Sequence, residues 1–137
     1  MQLADLYPEN LPLRIQQAVR SALLEDPWFT EKGVRLLIQD DGELGDLIGR
    51  GLLPLEAPLL LISLSEIEGN SPDVILHFAL TVLEDPLANR ARAGFDTALG
   101  IAWHAARLLD GSTYHFDRIT CQLNEDGLFQ AVAAFRY

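Results

Sequence analysis

The residues able to do chemistry are few and scattered. His77, His104 and His115 are the chain's three histidines, and Cys121 is its single cysteine. No two histidines have the i, i+4 spacing that puts a pair of imidazoles on one helix face, and no HExxH word occurs. A lone cysteine supplies neither a zinc-ligand pair nor an intramolecular disulfide. A metal or acid–base site could arise only if folding brought the histidines together with Asp96 or Asp117. His77 reads instead as a satisfied partner on the less apolar face of a strand, and Cys121 as a small buried hydrophobe. The glycine words GELG (42–45) and GRG (49–51) match no phosphate-binding fingerprint, and Asp40, Asp41, Glu43 and Asp46 around them would repel phosphate. No GxSxG elbow accompanies Ser63, Ser65 or Ser112. The acidic pairs Glu25-Asp26, Asp40-Asp41 and Glu125-Asp126 sit beside turns, where capping and turn roles account for them. The expectation is a protein without catalytic residues, cofactor or metal, and not an enzyme.

The bulk properties agree with that expectation. The chain has 137 residues, 49% of them hydrophobic, with 10 basic and 20 acidic side chains and a net charge of −10. Its length suits one domain, residues 1–137, with a core large enough to need no disulfide or metal. Surplus acid excludes sequence-independent grip on nucleic acid or on an anionic membrane, and no motif predicts sequence-specific nucleic-acid binding. Residues 1–12 show neither the basic region nor the apolar core of a signal peptide. The most apolar stretch, 52–64, is interrupted by Pro54, Glu56 and Pro58 and falls short of the roughly 20 residues a membrane helix requires. With one cysteine and no leader, a cytoplasmic protein is expected.

The elements that must position these side chains follow from periodicity. A first helix is predicted with Asn10 as its cap, Pro12 in its first turn, and Ile15, Ala18, Val19, Ala22 and Leu23 on the buried side. Arg14, Gln16, Gln17, Arg20 and Ser21 fall on the wet side. Asp26-Pro27 ends it, and Trp28 and Phe29 pin that end to the core. A short strand over 34–39 is entered through Gly33. Residues 59–64 read as a strand buried on both faces, 65–72 as a polar turn, and 74–84 as a long alternating strand. That strand would run roughly 35 Å, enough to project beyond a small domain. A second helix is predicted from Asp85-Pro86 to Gly111, with Phe95, Ala98, Leu99, Ala102, Ala106 and Leu109 as its buried stripe, widened by Ile101 and Ala105. Residues 114–123 and 128–137 form a closing hairpin around Asn124-Glu-Asp-Gly127. The fold class is therefore α+β, a mostly antiparallel sheet of about four to five strands with two helices packed on one face.

Residues 40–58, between the first two strands, form a long irregular excursion with four glycines and two prolines. Leu44, Leu47, Ile48, Leu52 and Leu53 make it too apolar for an ordinary solvated loop. It either folds back over its own core or packs on a neighbouring subunit. These five residues are the candidate partner-contact set.

The layout carries a resemblance. It comprises a helix ending in Asp-Pro, the excursion, a hairpin whose long strand ends in LTVLE, the helical stretch LEDPLANRARAGFDTALGIAWHAARLLDG, and a last hairpin closing on VAAFRY. From Leu13 to Tyr137 this order resembles the small tail-terminator and minor tail proteins of long-tailed phages and prophages. The resemblance implies a structural protein that assembles with copies of itself into a ring, commonly a hexamer, and meets tail-tube or head-connector proteins. The acidic balance would then suit a lumen through which DNA slides without sticking. Without the resemblance, the residues fit equally a small adaptor binding a partner along an exposed strand edge.

Overall fold

Large apolar residues at every second position, Val74, Leu76, Phe78, Leu80 and Val82, give a buried face to one of the two 12-residue strands described. The computed structural model describes residues 2–6, 10–39, 58–85, 97–123 and 128–137. Five strands form one sheet: β1 (Arg35–Ile38), β2 (Leu59–Asn70), β3 (Asp73–Glu84), β4 (His115–Leu123) and β5 (Phe129–Arg136), in the spatial order β1-β2-β3-β5-β4. Among the described residues the helices are α1 (Leu11–Leu24), the short α2 (Pro27–Glu31) and α3 (Ala98–Leu109), with a 3-10 turn at Leu3–Asp5 before α1. The fold class is α+β, but the sheet is mixed. Three of the four pairings are antiparallel, whereas β1 runs parallel to β2, with Leu36 beside Leu60 and Ile38 beside Ile62. Parallel neighbours need a connection of a dozen or more residues, and the stretch between Gln39 and Pro58 has that length.

One sheet face carries the core. Leu60 and Ile62 of β2, Leu76, Phe78, Leu80 and Val82 of β3, and Ala131, Ala133 and Phe135 of β5 join one buried cluster with residues of α1, α2 and α3. On the opposite face, Leu37 and Leu59 form a smaller buried pair with Leu61 and Leu83 against them. Residues 59–62 are thus apolar toward both sides, as a continuous apolar run in a sheet interior requires. The chain passes from β3 through α3 to β4, then turns back so that β5 inserts between β3 and β4. This insertion makes β4 an edge strand.

Several local expectations are corrected. Residues 65–70, expected in a polar turn, belong to β2, and the chain reverses at Ser71-Pro72. A bulge between Leu64 and Glu66 shifts the register of β2 by one, so that Ile67 pairs with Leu76 and Glu66 with His77. Asn10 is left-handed at φ 46° and makes no side-chain cap. Gln16, read as wet, is 2% exposed, while Ala18 and Ala22 are exposed. The Gln16 Oε1 accepts the Gln39 N–H at 3.1 Å, and the Gln39 Oε1 accepts the Leu64 N–H at 3.2 Å. This relay ties α1 to β1 and β2, which is why an amide is worth burying there.

α3 starts at Ala98, behind an extended Thr97; the start expected at Asp85-Pro86 and the expected stripe residue Phe95 fall on or beside residues 86–96, which lie outside the described residues. Thr97 is extended and its side chain accepts the Gly100 N–H at 3.1 Å, while the Glu84 carboxylate accepts the Ala98 N–H at 2.8 Å. Both groups satisfy donors that the first helical turn leaves without intrahelical partners, and Glu84 sets an anion at the positive end of the helix. At the other end the helix stops at Leu109, with Asp110 extended at φ −63° and ψ 125° just before the expected stop Gly111, which is not left-handed. A Cβ at Gly111 would meet nothing within 4 Å. Gly111→Ala should consequently be neutral or stabilising by about 0.4–1 kcal/mol, through loss of unfolded-chain freedom, measurable by denaturant unfolding.

Candidate contact surface

The histidines are not brought together. His104 joins Asp26, with Nε2 2.9 Å from the Asp26 Oδ2, and stacks on Trp28 with ring centroids 4.1 Å apart. Arg107 reaches the His104 Nδ1 at 3.5 Å; a guanidinium only donates, so the ring hydrogen faces Asp26 from Nε2. His77 lies on β3, its Nε2 buried without a hydrogen-bond partner and 3.7 Å from Glu68, so it is not the satisfied group expected of it. His115 opens β4 opposite Arg136. Asp117 is held by Arg136 at 2.8 Å, and Asp96 lies outside the described residues. Among the described residues no group of three or more His, Cys, Asp or Glu side chains could hold a metal ion.

The Asp26–His104 contact has a structural consequence instead. Asp26 caps α2 by accepting the Trp28 N–H at 3.0 Å, and Phe29 in the same turn is fully buried. The backbone N–H of Trp28, and after it the His104 ring, hold the Asp26 carboxyl below its ordinary value of 3.8. A carboxyl with a lowered folded-state pKa adds stability above its unfolded value and loses it as pH falls through the folded one. Wild type should therefore unfold at higher temperature than Asp26→Asn near pH 5. That difference should shrink below about pH 4 and vanish once Asp26 is protonated in both states, which melting curves of the two proteins across that range would read.

The apolar excursion set, Leu44, Leu47, Ile48, Leu52 and Leu53, lies outside the described residues. Exposed apolar side chains collect elsewhere, where α3 meets β4. The Ala-rich side of α3, Ala98, Ala102, Ala105 and Ala106 with Ile101 and Leu109, is buried in the core cluster. Leu99, expected in that stripe, points outward at 48% exposure, and Trp103 one turn later is 66% exposed. Along β4 every residue but Ile119 is exposed. Cys121, expected in the core, is among them; among the described residues β4 has a strand on one side alone. A cleft of about 470 Å³ lies between Leu99, Trp103, Phe116 and Ile119. A second of about 440 Å³ lies between Leu99, Cys121, Leu123 and Phe129.

A projecting arm is the other feature. The last residues of β3 paired with β5 are near His77, opposite Arg136, and Leu76 exchanges two backbone hydrogen bonds with Tyr137. Beyond them the β2–β3 hairpin continues alone, and residues 65–73 are all exposed. It extends about 10 Å past the sheet at the usual rise per residue. Its tip carries Glu66, Glu68 and Asp73, with Ile67 at 42% exposure. No helix among the described residues is long and apolar enough to cross a membrane. Comparison with protein-family models and with characterised proteins finds no match to this chain.

Proposed function

We propose that the protein is a non-catalytic structural component of a phage or prophage tail, assembling with copies of itself into a ring at the tail end or head–tail junction. The projecting β2–β3 hairpin carries this reading. An element reaching past its own core can meet a neighbour in a ring, and the pair of 12-residue strands supplies one. The layout of the sequence from Leu13 to Tyr137, which resembles that of small phage tail proteins, supports the same reading. The net charge of −10 supports the same reading, since an acidic lumen lets DNA pass without adhering. The partners would be further copies, six in the family pattern, and tail-tube or connector proteins, with no cofactor. The site of action would be the host cytoplasm during assembly and the virion tail afterwards. A second reading, an adaptor taking a partner peptide along a strand edge, is favoured by one observation, the open edge of β4. Light scattering on the purified protein with and without tail-tube protein, followed by electron microscopy of the particles, tests the first reading. Ring-shaped assemblies are expected. A monomer at every concentration that leaves tail-tube protein unbound would overturn it.

A further inference from the structure

We infer that the apolar face shared by α3 and β4 is a docking surface for a second copy of this chain. The inference rests on the self-assembly part of the proposed function and names the surface that would carry it. The two clefts on this face meet at Leu99, so the exposed parts of Leu99, Trp103, Phe116, Leu123 and Phe129 belong to one patch. From their exposures that patch presents roughly 500 Å² of apolar side chain, at the upper end of what a soluble monomer leaves open. A stable interface takes about 800 Å² from each partner, and the polar rim of Arg107, Asp110 and Gln122 brings the face toward that size.

Charge points to a copy of the chain as the occupant. The charged residues lining the two clefts are Arg107 and Asp110, both exposed, and Glu84, which is buried against the start of α3. The exposed charges of this surface are thus one of each sign in a molecule of net charge −10, so two such molecules can meet here with little like-charge repulsion. A basic partner or a cationic surface would instead be drawn to the acidic hairpin tip. Arg107 and Asp110 set both signs on the rim, so an approaching copy finds a counter-charge for each. Trp103 at the centre, with an arginine beside it, has the composition of an interface anchor.

The test compares wild type with Trp103→Glu and Leu108→Glu by light scattering over a concentration series. Leu108 is exposed on the far side of α3 and lines neither cleft. Trp103→Glu should weaken self-association by more than about tenfold, while Leu108→Glu leaves it unchanged. Circular dichroism checks that both variants fold. In wild type, labelling of Cys121 by a thiol reagent should slow as the protein assembles, a readout that needs no variant. Assembly that survives Trp103→Glu with Cys121 equally reactive throughout would overturn this assignment and leave the ring reading standing. A wild-type protein that never associates would overturn both.

Discussion

Phe29→Ala is expected to cost about 3–5 kcal/mol and to lower the melting temperature by roughly 10–15 °C. Phe29 is the largest fully buried side chain described, and it comes from a helix of only five residues. So short a helix has no stability of its own, since helix nucleation is unfavourable and few bonds follow it. The α2 turn is held by what it contacts. Asp26 caps it, Phe29 enters the core cluster, and Trp28 stacks on His104 of α3. Phe29 also meets the edges of Trp28 and His104, with centroids at 5.1 and 5.4 Å. Removing the ring leaves a cavity in the core cluster that joins the helices to the sheet. Trp28→Ala, at a partly buried position, should cost less. Equal losses for the two variants, measured by denaturant unfolding, would contradict this account of how α2 is anchored.

The same junction shows what could be read from the chain alone. Asp26-Pro27 marks the helix end because a residue before proline leaves the α region, and Trp28 and Phe29 so close behind have to be placed against something. Alternation in residues 74–84 revealed the faces of β3, with Leu76, Phe78, Leu80 and Val82 inside. The parallel pairing of β1 could not be seen, because local periodicity is the same whichever way a neighbour runs. Gln16 was placed on the wet side by residue type, yet its position among Ile15 and Val19 on α1 faces inward and its amide meets the Gln39 N–H. That partner lies 23 residues away, beyond any local window.

The contact surface was the harder matter. Apolar residues in a glycine-rich excursion stand out, and Leu44, Leu47, Ile48, Leu52 and Leu53 are such residues. Leu99, Trp103 and Phe116 do not stand out, because apolar residues in a helix and a strand look like core. Whether they are core depends on β5 inserting between β3 and β4, which leaves β4 at the edge. One local signal was available. A helix packed by one stripe has a polar side, but α3 carries Leu99, Trp103 and Leu108 outside its alanine stripe and is apolar nearly all round.

Ile62→Ala should lose about 3 kcal/mol, whereas Ile67→Ala, the same substitution five residues along the same strand, should lose no more than about 1 kcal/mol. Ile62 is fully buried between α1 and the sheet, while Ile67 is 42% exposed. The division falls at the bulge between Leu64 and Glu66, where the Ser65 hydroxyl donates to the His77 carbonyl at 3.0 Å. A bulge adds a residue to one strand and bends it, so it re-aims the side chains that follow. Without it, continued alternation would turn Glu66 toward the side of the core and Ile67 away. With it, Ile67 opposes Leu76 and the two glutamates lie on the side of His77. The hairpin therefore leaves the sheet with an apolar residue kept on one side and its acids on the other, a division useful in an arm that meets another molecule and of little use to the core. If so, Ile67→Ala should leave the unfolding midpoint almost unchanged while weakening assembly. Ile62→Ala, compared at a temperature where it is still folded, should show the reverse. Equal losses of stability for the two would mean that the hairpin is part of the core and not an arm.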